Sequence, residues 1–482
     1  MVSTASRLEK PRIGIFGIGL AAYWPQFASL QERLTGYLHL IEERLGQWGD
    51  VVSGGLVDTY EAARGAGNML ASAQVDALFI YVATYATSSI VLPVVQATKA
   101  PVVVLNLQPI AALDYEAMTT EEWLANCSAC CVPEIGGALT RARIDYKVIS
   151  GALLEDERAW GEIEAWCRAA GAARAVRRAR LGFLGHTYPG MLDMYSDFTA
   201  VSGQLGSHIE VLEIDDLVAR VRGATDQQIQ DKLAEFQATF DLADAGIDPI
   251  AAPITQEDLE WSARVAVGLE ALARDFDLSA LAYYYRGLEG NENEQVTAGM
   301  IVGNSLLTAR GIPCSGEGDL KNAIAMLIMD RLGAGGSYTE LYAMDLREQF
   351  VLMGHDGPMH LAIADQRPVL RKLKLYHGKR GFGVSVECKV KVGPVSILGM
   401  TQGGDGRLKL LAAGGESIPG PTFRIGNTNS RIRFSLDPAT FVTRWSEEGP
   451  THHCALGIGD QTEVLLKVGH LLDVQTVQVS GM

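Results

Sequence analysis

The chain has 482 residues, which is too long for a single hydrophobic core and predicts two to four domains. A hydrophobic share of 48% and a charged share of 20% are typical of a soluble α/β enzyme, and the net charge of −16 argues against a nucleic-acid partner, because phosphate binding needs a basic face. No apolar run is long enough to span a bilayer and no basic, apolar leader opens the chain, so we expect neither membrane association nor a signal peptide. Seven cysteines, an odd number, indicate reduced thiols in a cytoplasm.

Short buried strands alternate with helices through the first third of the chain. Residues 12–16, 75–83 and 101–107 are apolar runs of strand length, while residues 26–48 carry apolar residues at helical spacing. A G-I-G-L-A-A sequence follows the first strand at residues 17–22. We interpret it as a tight turn, because no acidic residue ends a second strand at the distance that a dinucleotide fingerprint requires.

Side chains that follow two of the predicted strands are candidate substrate contacts. Gln108 follows the strand at residues 101–107, and His186 and Met191 follow a strand at residues 180–185. The carboxyl ends of parallel strands are where α/β sheets bind ligands. Polar residues also occur wherever a strand simply ends, so each of these positions has an ordinary structural explanation as well.

Three cysteines stand close together at Cys127, Cys130 and Cys131. The C-x-x-C spacing admits redox or metal chemistry, but the sequence has no second pair and the segment has helical spacing. We therefore predict that these cysteines belong to the core.

The pattern of the chain changes twice. Residues 169–180 are small and basic, which predicts a domain boundary, and closely spaced strands with glycine turns begin near residue 346. Residues 384–392 alternate apolar and polar side chains, as half-exposed antiparallel strands do. The predicted fold is α/β, with two parallel-sheet α/β domains followed by a C-terminal β-rich barrel or sandwich domain: residues 1–175, 176–345 and 346–482.

Two glutamates and three histidines lie at breaks in the hydrophobic pattern near the end of the second predicted domain and in the third. They are Glu317, Glu340, His355, His452 and His453. Carboxylates and imidazoles together suit a divalent ion such as Mn²⁺, Co²⁺ or Mg²⁺, and the lack of paired thiolates argues against structural zinc. Because neighbouring residues of an extended chain face opposite ways, we expect only one of the two adjacent histidines to join a given metal site.

Two details of this region follow from local geometry. Asp319 precedes a helical pattern at residues 320–332 and is predicted to cap that helix. In an extended segment Glu340 shares a face with Tyr338 and Tyr342, which is a poor place for a solvated charge. A ligand or paired role for this glutamate is therefore expected.

Four motifs resemble those of a known family, and their order and rough intervals agree with it. G-E-G-D-L-K-N-A at residues 316–323 resembles the G-E-G-D-W-K-T-A of L-arabinose isomerases, and G-G-S-Y-T-E-L-Y at 335–342 resembles their second glutamate motif. V-L-M-G-H at 351–355 is similar to their V-L-G-S-H, and G-P-T-H-H at 449–453 to their G-G-x-H-H-T. The family also includes L-fucose isomerases, which have an equivalent arrangement.

The resemblance implies a site and an activity. It implies that Glu317, Glu340, His355 and His453 bind Mn²⁺, with Co²⁺ or Mg²⁺ as alternatives, and that His452 contacts the substrate or supports the site. The two glutamates would exchange a proton in converting an aldose to a ketose through an enediol. It further implies a small-molecule sugar substrate, a pentose or a 6-deoxyhexose, and a cytoplasmic homo-oligomer, hexamer or trimer, in carbohydrate metabolism.

Several alternatives stay open from the sequence. The sugar, the preferred ion, the oligomer size, the glutamate that acts toward C2, and a hydride shift in place of the enediol are all undetermined. A manganese-dependent aldolase or hydrolase could use the same ligands. A non-catalytic sugar-binding protein is the third interpretation.

Overall fold

The computed structural model describes residues 10–243, 251–288, 290–373, 375–376, 379–380, 383–423, 425 and 427–480. The chain divides into two compact units, one of residues Glu9–Arg174 and one that begins at Ala175. The further division of the second unit at residue 346 stays a prediction. In the described part of the chain, no helix has both the length and the apolar character needed to cross a membrane.

The first unit is built on a five-stranded parallel sheet of order β2-β1-β3-β4-β5. All six residues of β3 are buried, as the apolar run predicted. The strands are β1 (Arg12–Ile18), β2 (Asp50–Val57), β3 (Ala77–Val82), β4 (Val102–Gln108) and β5 (Tyr146–Ala152). The helices are α1 (Leu30–Leu45), α2 (Tyr60–Ala73), α3 (Leu92–Thr98), α4 (Thr120–Ala125) and α5 (Val132–Arg141), and α6 (Glu157–Arg177) begins in this unit.

The prediction for the cysteines is wrong at one position. Cys127 and Cys131 are buried, but Cys130 is exposed. The reason is local, because the three thiols lie in the turn between α4 and α5 and not inside a helix.

The second unit begins with a four-stranded parallel sheet of order β11-β10-β6-β7. Its strands are β6 (Arg180–Gly185), β7 (His208–Leu212), β10 (Ala280–Tyr284) and β11 (Cys314–Ser315). The helices of this region are α7 (Phe198–Leu205), α8 (Ile214–Arg222), α9 (Asp226–Thr239), α10 (Gln256–Asp275), α11 (Glu292–Ala298), α12 (Ile301–Ala309) and α13 (Leu320–Arg331).

The rest of the unit is a closed antiparallel barrel, which confirms the predicted β-rich C-terminal region and identifies it as a barrel. Six strands pair in the order β18-β21-β12-β13-β20-β19, and β18 also pairs with β19, so the sheet closes. The barrel strands are β12 (Gly335–Asp345), β13 (Phe350–His355), β18 (Gly393–Gln402), β19 (Leu408–Ile418), β20 (Thr428–Phe434) and β21 (His453–Ile458). Helix α14 (Pro438–Glu447) lies between β20 and β21, α15 (Thr462–Leu472) follows β21, and β22 (Gln475–Gln478) pairs parallel to β19.

The remaining strands lie outside the barrel. They are β8 (Asp241–Leu242), β9 (Ala251–Ala252), β14 (Val369–Leu373), β15 (Leu375–Tyr376), β16 (Lys379–Arg380) and β17 (Ser385–Glu387). The alternating pattern at residues 384–392 thus forms only the short β17, which pairs with β14 and not with a barrel strand.

Helix α13 lies between the parallel sheet and the barrel of the second unit. It packs against β10 on one side and against β12, β18 and β21 on the other. Every residue from Leu320 to Met329 is buried, including Lys321 and Asn322, as expected of a helix covered on all faces. The N-terminus of α13 is therefore held at the junction of both layers, where the candidate site lies.

Candidate active site

Glu317 occupies a strained turn between β11 and α13. It has a φ of +58°, the left-handed region that non-glycine residues rarely adopt. The next residue, Gly318, also has a positive φ, and a Cβ placed there would lie 2.7 Å from Thr187 Cα. The Tyr188 N–H donates to the Glu317 carbonyl at 2.9 Å, so the turn is held against the loop after β6. The Glu317 Oε2 atom is buried and has no hydrogen-bond partner among the described residues.

His453 is fixed at both ring nitrogens. Asp319 caps α13 as predicted, with Oδ1 accepting from the Asn322 N–H at 3.0 Å, and its Oδ2 lies 3.0 Å from His453 Nδ1. The other nitrogen, Nε2, is 2.7 Å from the Tyr338 hydroxyl and 3.7 Å from Glu317 Oε2. Burial lowers the pKa of His453, although Asp319 opposes that shift. The arrangement is that of a neutral imidazole whose Nδ1–H donates to the carboxylate.

His452 is held in the same way by a second carboxylate. Asp193 Oδ2 accepts from the His452 backbone N–H at 2.9 Å and from Nδ1 at 2.7 Å. His452 Nε2 then lies 3.7 Å from Glu317 Oε2 and 4.0 Å from Glu340 Oε2. Burial lowers the pKa of His452, but the nearby Glu317 carboxylate and the hydrogen bond to Asp193 raise it to about 9.

Both adjacent histidines therefore face the glutamates, which differs from the expectation that they point to opposite sides. The rings lie 3.9 Å apart, centroid to centroid. The reason is that β21 begins only at His453, while His452 lies in a bend before the strand. The alternation rule applies to extended backbone and does not cover the bend.

Glu340 and His355 reach the site from neighbouring barrel strands. Glu340 on β12 pairs with Gly354 on β13 and with His453 on β21. His355 ends β13, and its ring centroid lies 4.1 Å from that of Tyr338. Barrel register thus places Glu340 directly opposite His453, although the two residues are far apart in sequence.

Two overlapping groups of side chains have the spacing of a metal site. Ligand atoms of Glu317, His355 and His453 all lie within 4.8 Å of one another, as do those of Glu340, His452 and His453. Burial raises the pKa of Glu317, but the three nearby imidazoles lower it by a larger amount, so the net shift of the pKa is downward. An ionised carboxylate with an unpartnered buried oxygen beside imidazoles fits a divalent cation.

The other predicted contacts are placed differently. His186 touches the Glu317 turn through its backbone, while its ring lies edge-on to Tyr284 at 5.2 Å between centroids. The Met191 N–H donates to the Tyr188 carbonyl at 3.4 Å in the same loop. Gln108 belongs to the first unit, where its amide donates to the Ile110 carbonyl at 2.6 Å. Substrate contact by these three residues stays a prediction.

The sequence did not predict three of the contacts made by the adjacent histidines. Asp193 follows the same strand as His186 and Met191, but nothing in the sequence connects it to a histidine 259 residues away. Tyr338 was expected only to share a face with Glu340, and Asp319 only to cap a helix. Their contacts with His453 depend on the three-dimensional packing of α13 against the barrel.

Comparisons with known proteins agree with the motifs. A profile of the L-arabinose isomerase central domain matches residues 196–335. The L-arabinose isomerase of Clavibacter sepedonicus is 24% identical over 395 residues, which cover 80% of this chain and 76% of the relative. The enzyme of Acidothermus cellulolyticus is 25% identical over 75% of this chain and 72% of its own length. L-arabinose isomerase 1 of Bacillus licheniformis is 22% identical over 72% of this chain and 69% of its own length.

The fold, the clustered site and these matches define an enzyme of the aldose–ketose isomerase class, a group of intramolecular oxidoreductases. More particularly, the chain is similar to L-arabinose isomerases, and the resemblance seen in its motifs is confirmed. The profile match includes Glu317 and Asp319, and Glu340, His355 and His453 lie beyond its end. Similarity to L-fucose isomerases stays a prediction.

Proposed function

We propose that the protein is a metal-dependent aldose–ketose isomerase that acts on a pentose or a 6-deoxyhexose, an L-arabinose-like or L-fucose-like sugar, through an enediol intermediate. One observation carries the proposal. The carboxylates of Glu317 and Glu340 converge on the same imidazole, with His452 Nε2 3.7 Å from one and 4.0 Å from the other. Two carboxylates that flank one small space are what a reversible proton transfer between neighbouring carbons requires.

Isomerisation moves a proton between C1 and C2 and a hydrogen between the two oxygens. In our proposal one glutamate takes the proton from carbon and the other supplies a proton, and the roles reverse in the opposite direction. Glu317 is suited to act as a base because its three imidazole neighbours lower its pKa and keep it ionised. His452 and His453 face both carboxylates and can stabilise negative charge beside them.

The proposed metal ligands are Glu317, Glu340, His355 and His453. The supporting observation is the buried, unpartnered Oε2 of Glu317 within 4.8 Å of imidazole nitrogens. When bound, Mn²⁺, Co²⁺ or Mg²⁺ supplies Lewis acidity that polarises the sugar carbonyl. Asp319 holds the His453 ring so that Nε2 faces the site, as outer carboxylates do for metal-binding histidines.

The resemblance to L-arabinose isomerases supports further parts of the proposal. We place the enzyme in cytoplasmic carbohydrate metabolism, and we propose a homo-oligomer, hexamer or trimer. His186, Met191, Gln108 and His452 are the proposed sugar contacts. These assignments rest on the family and on the predicted positions of the residues.

A panel of aldoses and ketoses tests the activity directly. The purified protein is incubated with each sugar, with added Mn²⁺ or with chelator, and the products are separated. We expect interconversion of one aldose–ketose pair, loss of turnover in chelator and recovery on adding Mn²⁺ or Co²⁺. Chain cleavage would instead indicate an aldolase, and sugar binding without turnover would indicate a binding protein.

Charge-neutral substitutions test the two glutamates. Glu317→Gln and Glu340→Gln keep the side-chain size but remove the base, so each should lower kcat by at least ~10². The matched control is Glu348→Gln, because Glu348 is exposed in the turn between β12 and β13. Near-native turnover in either site variant would exclude that residue as an acid or base.

A further inference from the structure

Asp193 is a carboxylate of the site that lies outside the four family motifs. It lies in a single helical turn, Leu192–Met194, in the loop after β6. Its Oδ2 accepts two hydrogen bonds from His452, one from the backbone N–H at 2.9 Å and one from Nδ1 at 2.7 Å. This geometry repeats, on the more exposed side of the site, the contact that Asp319 makes with His453.

The loop that carries Asp193 is anchored on both sides. Before Asp193, the Tyr188 N–H donates to the Glu317 carbonyl at 2.9 Å. After it, the buried Lys321 of α13 donates from Nζ to the Tyr195 carbonyl and to Ser196 Oγ, both at 3.1 Å. Lys321 is only 1% exposed, and a buried ammonium group needs its hydrogen-bond partners. These two hydrogen bonds therefore fix the position of the loop relative to α13.

We propose that Asp193 is a positioning residue that acts through His452. The His452 side chain is 34% exposed, so burial alone does not restrain the ring. Asp193 holds Nδ1 and the backbone together, and Nε2 is thereby directed at Glu317 and Glu340. This inference rests on the proposed function, because the ring it orients belongs to the proposed isomerase site.

A double-mutant cycle tests the inference. Asp193→Ala should lower kcat/KM by about 10–100-fold, the usual loss for an outer partner of a site histidine. Asp193→Asn keeps an acceptor oxygen and should recover most of that loss. If Asp193 acts only through His452, the double variant Asp193→Ala/His452→Ala should be no worse than His452→Ala. Asp197→Ala is the control, because Asp197 caps α7 in the same loop and accepts from the Ala200 N–H.

A second readout does not depend on activity. The rate at which diethyl pyrocarbonate modifies His452, followed by peptide mass spectrometry, should rise several-fold in Asp193→Ala and stay unchanged in Asp197→Ala. Additive losses in the cycle, or an unchanged modification rate, would overturn the positioning role. A wild-type protein that isomerises no sugar would overturn the proposed function, and the modification rate would still decide whether Asp193 restrains the ring.

A separate observation concerns the thiols of the first unit. The Sγ atoms of Cys127 and Cys130 lie 2.8 Å apart, and Cys130 is exposed. The third thiol, Cys131, is directed elsewhere, with Sγ 3.5 Å from the carbonyls of Thr84 and Ser128. Two of the three cysteines are thus close enough to react with one another, and one of these is open to solvent.

The surroundings of this pair admit a small reagent. A cavity of about 510 Å³ borders both cysteines and is lined by apolar side chains such as Leu113 and Trp123 together with polar ones such as Asp114 and Asn126. Burial and the neighbouring Cys130 raise the pKa of Cys127 to about 12, so this thiol is protonated at neutral pH. Cys130 is the exposed thiol of the pair, so attack on an external disulfide begins there.

We infer that Cys127 and Cys130 form a dithiol that closes to a disulfide by exchange with a low-molecular-weight disulfide such as oxidised glutathione. The Cys130 thiolate attacks the external disulfide, forms a mixed disulfide and releases one glutathione thiolate. Cys127 then loses its proton and attacks Cys130 Sγ, which releases the second glutathione. The two protein thiols are oxidised and one external disulfide is reduced to two thiols.

Peptide mapping without reductant tests this exchange. After treatment with oxidised glutathione, we expect a peptide cross-linked between Cys127 and Cys130. Cys127→Ser should stop at a glutathione adduct on Cys130, and Cys130→Ser should give neither product. The buried Cys167 and Cys314 are internal controls and should stay reduced. A Cys130 that remains fully alkylatable after treatment, or a Cys127→Ser variant without the adduct, would overturn the inference.

Discussion

At the scale of single residues, two aspartate–histidine pairs hold the adjacent histidines of the site. Asp319 and its histidine are wholly buried, whereas the side chains of Asp193 and His452 are about a third exposed. Both aspartates bind Nδ1 and leave Nε2 facing the glutamates. His453, the histidine of the buried pair, is a member of both candidate metal-ligand groups.

This difference predicts unequal effects of removing the two histidines. His453→Ala should weaken Mn²⁺ binding by more than the ~10–100-fold typical of an outer partner, and His452→Ala should weaken it less. His208→Ala is the control, because His208 is an exposed histidine on β7. Mn²⁺ titration measures the affinities, and circular dichroism checks folding. A reversed order would show that the ligand is His452.

The sequence singled out Glu317, Glu340, His355, His452 and His453, because each stands in a short motif with a clear local pattern, and the structure brings these side chains together. The sequence could not identify what holds them. Asp193 looks like any polar residue after a strand, and the Tyr338 hydroxyl contact with His453 depends on barrel pairing. Contacts between residues that are far apart in sequence cannot be predicted from the spacing of neighbouring residues.

At the scale of elements, the turn into α13 depends on the absence of a side chain at Gly318. Gly318 and Gly333 both have a φ of +74°, but a Cβ would collide with the backbone of residues 186–187 only at Gly318, since Gly333 faces open space. Gly333→Ala should therefore cost only the left-handed strain, roughly 1–2 kcal/mol. Gly318→Ala should cost more and should also lower kcat.

Chemical unfolding and steady-state kinetics of both variants measure these effects. Comparing Gly318→Ala with Gly333→Ala separates backbone strain from steric contact, because the two glycines have the same φ. Equal stability losses with full activity in Gly318→Ala would show that the close approach to the loop after β6 is not required.

Helices α9, α10 and α12 meet at a charge cluster that predicts a pH-dependent stability. Lys232 Nζ lies 2.6 Å from Glu235 Oε2, and Arg310 binds both Glu235 and Glu270. Burial raises the pKa of Glu235, but Lys232 and Arg310 outweigh it, so the pKa is lowered. Because the pKa of this carboxyl is lower in the folded state than in the unfolded state, its ionisation stabilises the fold. This stabilisation is fully present above the unfolded pKa and is lost as the pH falls through the folded pKa.

Glu235→Gln should accordingly lower the free energy of unfolding at pH 7 by roughly 1.5–3 kcal/mol, the range for hydrogen bonds to charged groups. The difference from wild type should shrink below about pH 4, where the wild-type carboxyl becomes protonated. Urea unfolding at both pH values measures it, with Asp231→Asn on the exposed face of α9 as the control. A difference that is independent of pH would exclude the ionised carboxylate as its cause.

Element types were predictable where one pattern dominated, as in β3 and α13. The alternating residues 384–392 were misleading, because only β17 forms there and it pairs outside the barrel. Alternation of apolar and polar residues predicts a half-exposed strand, but it does not predict the sheet in which that strand pairs.

At the scale of the whole molecule, the sequence predicted the order of layers but not how the barrel closes. Closure depends on β18 pairing with both β19 and β21, and β19 follows β18 directly while β21 comes much later. Strand partners of this kind are chosen by packing across the barrel, which one sequence does not reveal.

The contact between His452 and Asp193 joins residues 259 positions apart, and that between His453 and Asp319 joins residues 134 apart. Contacts of such long sequence separation form slowly, since the loops between them must close first. During refolding from denaturant, helical circular dichroism should therefore return before Mn²⁺ binding and turnover. Simultaneous recovery would contradict this order. If the helices return first, a newly made chain passes through a stage in which its helices are formed but the candidate site is not yet assembled.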